Sequence, residues 1–147
     1  MTQAPGMTAT ISPRVIPELD VSNLEGSLRF YTDGLGFQIL YERPEDGFAC
    51  LDLEGARLML EAASGPGRHF RTAPLERPFG RGVNLQIQVG DAASLHTRLC
   101  KAGHTPLIPL ETRWYRTGAV ERGHLQFVAV DPDGYLLRFF SDLGTQE

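Results

Sequence analysis

Apolar and polar positions alternate from Val15 to Val21 (VIPELDV), the period of a half-buried strand. The period then changes. Leu24, Leu28, Tyr31 and Leu35 recur at helical spacing in NLEGSLRFYTDGLG, with Asn23 placed to cap the helix and Gly34 and Gly36 to end it. Three short strands are predicted next, over 37–43, 48–53 and 56–62, separated by turns at Glu45-Asp46-Gly47 and Glu54-Gly55. From Ser64 to Gly82 the pattern is lost in a loop rich in Pro, Gly and Arg, and loops of that length in compact domains are functional or mobile. Alternation returns at Val83–Val89 (VNLQIQV). Asp91 is placed to cap a second helix, DAASLHTRLCKAG, which Gly103 ends, and strands are predicted over 105–110, 125–130 and 135–140.

The same order of elements therefore occurs twice. Val15–Val21 lies over Val83–Val89, Ser27-Leu28 over Ser94-Leu95, Gly36 over Gly103, and Asp52-Leu-Glu-Gly55 over Asp131-Pro-Asp-Gly134. This shared order predicts an α+β fold of two tandem βαβββ modules forming curved mixed sheets with a concave cleft. The modules would span 14–63 and 83–143, joined by a linker loop over 64–82. A disordered leader over 1–13 and a tail over 144–147 would flank them.

Strand parity sorts the residues onto two faces. Val15, Pro17, Leu19, Val21, Leu58, Leu60, Val83, Leu85, Ile87, Val89, Tyr135, Leu137 and Phe139 form the apolar face, the one a helix would cover. The other face carries Ile16, Glu18 and Asp20; Arg57, Met59 and Glu61; Asn84, Gln86 and Gln88; and Leu136, Arg138 and Phe140. One reading of this polar face is the solvated back of a sheet. The other is a wet, polar-lined cleft. Arg138, set between Leu137 and Phe139, needs carboxylate or backbone partners if it is covered, and Glu18, Asp20 and Glu61 are candidates.

Bulk properties narrow the function. The 147 residues carry a net charge of −4, with 41% hydrophobic and 22% charged residues, ordinary for a soluble domain. No Lys/Arg cluster is placed to track a phosphate backbone, so no nucleic-acid partner is expected. No run reaches the roughly eighteen apolar residues of a membrane span, so no membrane partner is expected either. The N-terminus has no secretory pattern, and Cys50 and Cys100 do not make a disulfide framework, which together predict a cytoplasmic protein. Among the four histidines, His69, His96, His104 and His124, none sits in a recognised ligand or catalytic motif; His124 stands out by preceding a strand.

The segments PELDVSNLEGSLRFYTDGLGF, LMLE and VDPDGYLLRF resemble the vicinal-oxygen-chelate superfamily, over about Val15 to Leu143. That superfamily holds glyoxalase I, extradiol dioxygenases, fosfomycin-modifying enzymes and bleomycin resistance proteins. Its metal-ligand positions fall here on Ile16, Met59, Asn84 and Arg138. An aliphatic, a thioether, an amide and a cation do not make a hard N/O metal site, so no metal and no cofactor is expected. The sequence is most similar to the bleomycin resistance branch, including Pro17 in the first strand. That resemblance implies a homodimer with drug-binding clefts between subunits, often with an exchanged N-terminal strand. It also implies sequestration of a glycopeptide-type antibiotic without chemistry. Two other readings stay open: a metal-dependent glyoxalase- or dioxygenase-like enzyme, and a module binding an anionic metabolite through Arg138 and Arg57.

A bleomycin-type ligand needs stacking partners for its rings, amides for its amide and sugar groups, and acids for its cationic tail. The candidate binding residues are therefore Glu18, Asp20, Arg57, Met59, Glu61, Asn84, Gln86, Gln88 and Arg138 on the sheets. Trp114 and Tyr115 join them from the segment 111–124, read as a loop.

Overall fold

The computed structural model describes residues 12–147. The predicted leader falls mostly outside them. The first module runs β1 (Glu18–Val21), α1 (Leu24–Arg29), β2 (Gln38–Arg43), β3 (Phe48–Leu53) and β4 (Ala56–Ala62). The second runs β5 (Asn84–Gln88), α2 (Ala92–Lys101), β6 (Ile108–Thr117), β7 (Val120–Val130) and β8 (Leu136–Gln146). Each module forms one four-stranded sheet, with orders β1-β4-β3-β2 and β5-β8-β7-β6. In both, the first strand pairs parallel with the last and the remaining pairs are antiparallel. The architecture is the duplicated βαβββ α+β fold that the sequence order predicts.

Local chemistry sets the elements. Asn23 Oδ1 accepts from the Gly26 N–H at 3.0 Å, and Asp91 Oδ1 from the Ser94 N–H at 3.0 Å, so both helices start on side-chain caps. The first helix is shorter than its periodicity implies. After Arg29 it widens into a π-helical turn, Phe30–Gly34, in which adjacent Phe30 and Tyr31 are both buried. β1 is short as well. Pro17 has no N–H to give to a ladder, and its carbonyl accepts from Met59 N at 2.8 Å just before pairing starts at Glu18. Val15 is 80% exposed and Val83 56% exposed, so neither belongs to the core predicted for them.

The segment 111–124 is not a loop. It belongs to the β6–β7 hairpin, closed by Gly118-Ala119, and β8 runs through the predicted tail to Gln146. Register shifts between Ile39 and Tyr41, Ile108 and Glu111, and Arg122 and His124 are bulges, which bend the sheets.

A single core joins the modules. Leu19, Val21, Leu58 and Leu60 from one sheet cluster with Ile87, Leu137 and Phe139 from the other, with Tyr31, Leu35, Leu95 and Leu99 packed among them. Phe37 meets Phe139 edge-on at 6.5 Å between ring centroids. Polar bonds reinforce this seam. Tyr31 Oη donates to Asp131 Oδ2 at 2.8 Å, Tyr135 Oη donates to the Asp20 carbonyl at 2.9 Å, and Ser22 N donates to Asp133 Oδ2 at 3.0 Å. From the linker, Arg77 reaches Asp133 Oδ1 at 2.9 Å and Ser22 Oγ at 2.8 Å. Because both apolar faces turn into this core, both polar faces turn away from it. No helix among the described residues is long and apolar enough to cross a membrane.

Candidate functional site

The polar face of the first module is built on the β1–β4 pairing, which sets Glu18 beside Met59 and Asp20 beside Glu61. Opposite them on β3 stand Phe48, beside Glu61, and Cys50, beside Met59. The linker folds onto one end of this face. Arg71 Nε donates to Asp20 Oδ2 at 2.9 Å and Arg71 Nη2 to the Ala63 carbonyl at 2.8 Å. His69 Nδ1 lies 3.4 Å from Asp20 Oδ1 and 3.7 Å from Glu61 Oε1, while Nε2 lies 3.0 Å from the Gly65 carbonyl. Acceptors thus face both ring nitrogens. The Gly65 carbonyl, helped by Asp20, raises the His69 pKa above its ordinary 6.5. Burial, and then the Glu61 carboxyl beside it, raise the Glu18 pKa. Arg57 lies 3.7 Å from Asp52 and donates to Ser12 Oγ at 3.2 Å.

The second module's polar face encloses a cavity of about 470 Å³, lined by Gln86, Gln88, Tyr115, His124, Arg138 and Phe140, with Thr117, Arg122 and Asp142 at its edge. The β5–β8 register sets Gln86 beside Arg138, and Arg138 Nη2 donates to Gln86 Oε1. The other predicted partners of Arg138 are not here: Glu18, Asp20 and Glu61 all belong to the other sheet. The Tyr115 ring lies 5.8 Å from the guanidinium carbon, and its hydroxyl donates to Gln126 Oε1 at 3.0 Å. Gln126 Nε2 in turn donates to Glu111 Oε1 at 3.2 Å. His124 stacks on Phe140, with centroids 3.9 Å apart and planes 17° from parallel, and meets Tyr115 edge-on at 5.2 Å. It is 7% exposed, and its Nδ1 has no hydrogen-bond partner among the described residues. Burial, and then the adjacent Arg138 charge, lower its pKa below 6.5.

The four positions where the resemblance places metal ligands hold Ile16, Met59, Asn84 and Arg138. The first two lie with one sheet and the last two with the other. This donor set does not fit a divalent ion. Among the described residues, no group of three or more His, Cys, Asp or Glu is placed to hold one.

A model of the Glyoxalase/Bleomycin resistance protein/Dioxygenase superfamily matches residues 17–139. The chain belongs to that superfamily. It is 30% identical over 137 residues to a bleomycin resistance protein of Geobacillus stearothermophilus, covering 87% of this chain and 96% of that one. The same figures hold for a bleomycin resistance protein of Staphylococcus aureus (strain MRSA252). Among solved structures, TioX from Micromonospora sp. ML1 shares the fold with a TM-score of 0.67 at 18% identity, over 90% of this chain and 100% of that one. Virulence protein STM3117 from Salmonella typhimurium does so with a TM-score of 0.66 at 19% identity, over 90% and 98%.

Within this superfamily member, Gln86, Gln88, Tyr115 and Arg138 come together on one cavity. Glu18, Asp20, Met59 and Glu61 come together on the other module. Arg57 is tied to Asp52, and Asn84 stands beside Leu136 at the start of β5. Trp114 departs from the reading that put it beside Tyr115. Consecutive strand residues point to opposite faces, and the Trp114 ring covers Gly123, away from the cavity. His124, Phe140, Arg122 and Asp142 were missed as lining residues. Phe140 shares strand parity with Arg138. Arg122, His124 and Gln126 alternate on β7, a signal hidden by reading that segment as a loop. A larger cavity of about 750 Å³, between the turn after α1 and α2, lies outside both polar faces. Its Arg98 already donates to the Thr32 and Asp33 carbonyls at 3.0 Å.

Proposed function

We propose that the protein binds a glycopeptide-type antibiotic such as bleomycin and holds it unaltered, in a cleft completed when two copies pair. The observation that carries this reading is the orientation of the two polar faces. Each is an open half-site backed by the shared core, so neither encloses a large ligand alone. Two-fold pairing would bring the first module's face of one copy over the second module's face of the other, forming two equivalent clefts. One half supplies acid for a cationic tail at the exposed Glu18, with Asp20, already held by Arg71 and His69, and the buried Glu61 behind it. The other supplies amides at Asn84, Gln86 and Gln88 and ring surfaces at Tyr115 and Phe140. The hydrogen bonds on these faces join amides, carboxylates, guanidinium groups, the Tyr115 hydroxyl and the His69 ring, and among the described residues none joins a hydroxyl or thiol to a histidine, which favours holding over chemistry. The names of the relatives at 30% identity point the same way.

The test is calorimetric titration with bleomycin, with the protein's mass in solution measured alongside. A dimer taking up two drug molecules at micromolar dissociation constants, about −8 kcal/mol, is expected. Mass spectrometry of the released drug should return its starting mass. A modified drug, or no heat at drug concentrations of about 1 mM, would defeat the proposal.

A further inference from the structure

We propose that the second module's face carries an anion subsite centred on Arg138, which takes the carboxylate of a flat, conjugated ligand lying along the His124, Phe140 and Tyr115 rings. This goes beyond the function proposed above in the chemistry of the ligand and shares with it only the location of the cleft. It makes the ligand an acid at one end.

The first argument is the pairing of charges. On the first module, Asp20 is matched by Arg71 and His69, Asp52 by Arg57, and Asp46 by Arg43 at 3.3 Å. On the second, Arg122 meets Asp142 at 2.7 Å, and Glu111 is engaged by Gln126. Arg138 alone of the charged groups lining this cavity's floor has no opposite charge within ion-pair distance among the described residues. Among the described residues its one hydrogen-bond partner is the neutral Gln86, and its Nε is buried without a partner. A half-covered guanidinium without a counter-charge is a costly arrangement that a bound carboxylate relieves.

The second argument is independent. His124, more than nine-tenths buried, leaves Nδ1 without a partner among the described residues in the same cavity, beside that guanidinium. A neutral imidazole there offers one donor, and an anion nearby draws on a second proton. The third argument is shape. The His124–Phe140 stack, met by the Tyr115 ring at 60°, gives the cavity an aromatic side, and its volume of about 470 Å³ suits a small conjugated acid. An Arg fork matches a planar carboxylate better than it matches an amide or an amine.

The experiment titrates the dimer with three isosteric probes, benzoate, benzamide and benzamidine, following amide shifts by NMR. Benzoate should bind at least about tenfold tighter than benzamide, and benzamidine weakest. Arg138→Met should bring the benzoate-to-benzamide ratio near one, and Arg138→Lys should restore part of it. Thermal melts establish that both variants fold. A wild-type ratio near one, a preference for benzamidine, or a ratio that survives Arg138→Met would each overturn the subsite. Arg138→Met could instead weaken the dimer about tenfold while the wild-type benzoate ratio is near one. That result would assign Arg138 to subunit pairing and overturn the subsite too. A parallel bleomycin titration separates the two proposals. Drug binding without benzoate discrimination keeps the drug reading and ends this one, and the reverse result keeps the subsite and ends the drug reading.

Discussion

At the scale of single residues, His124 shows how burial becomes a pH dependence. Burial and the Arg138 charge hold its folded pKa below 6.5; Gln126 and Asp142 offset this only in part, and Arg122 adds to it. From β6 it faces Arg113, its register partner, and Tyr115; from β8, Arg138, Phe140 and Asp142; from its own strand, Arg122 and Gln126; and Gln86 and Gln88 of β5 line the same cavity. Between its lowered folded pKa and 6.5, the unfolded chain binds more protons than the folded one. Stability therefore falls as pH drops through about 6.5 and levels off below the folded pKa. His124→Phe keeps a ring on Phe140 and removes the titration. The wild-type-minus-variant difference in urea stability should decline from about pH 7 to about pH 5, while His69, common to both proteins, cancels. Parallel profiles would show that His124 carries no such penalty. Parity alone brings Gln86, Arg138 and Phe140 to one face, because the β5 and β8 side chains alternate cleanly. The same rule could not reach His124, since its segment reads as a loop.

Elements were legible where one face is apolar and the other polar. β4, β5 and β8 alternate because each backs onto the shared core and presents a wet face outward. The β6–β7 hairpin extends past that core. Its outer half, with Arg113, Arg116, Glu121 and Arg122, has little to bury, so it carries no hydrophobic period and reads as irregular chain. The hairpin is held instead by a cross-strand contact invisible in composition. The Trp114 ring lies over Gly123, and a Cβ built there would stand 2.7 Å from it. Glycine is thus required for close approach rather than for a turn. Gly123→Val should lift the chain's only tryptophan off the strand, red-shift its emission and destabilise the hairpin by about 1–3 kcal/mol. An unchanged emission maximum would mean that the ring does not rest there. The widened turn at Phe30–Gly34 was equally illegible, because Leu24, Leu28, Tyr31 and Leu35 fit ordinary helical spacing whether or not one turn gains a residue.

At the scale of the whole molecule, the duplication predicts two similar units, but the packing makes them one. The sheets share a core, and Phe139 of the second module touches Phe37 of the first as well as Phe127, whose ring stacks 5.4 Å away. Loss of that ring should therefore be felt in both halves at once. Two native probes sit in different modules: Trp114 on β6, and Cys50 on β3, a 2% exposed thiol whose pKa burial raises and which is inert while folded. With the exposed Cys100 replaced by serine, thiol labelling reports opening of the first module alone. Phe139→Ala should cost about 3–5 kcal/mol, and the loss read from Cys50 labelling in denaturant should equal the loss read from Trp114 fluorescence. If Cys50 stays protected while the Trp114 transition moves, the modules unfold separately. The linker bonds of Arg77 to Ser22 and Asp133 would then be tethers between independent units rather than seams of a single one.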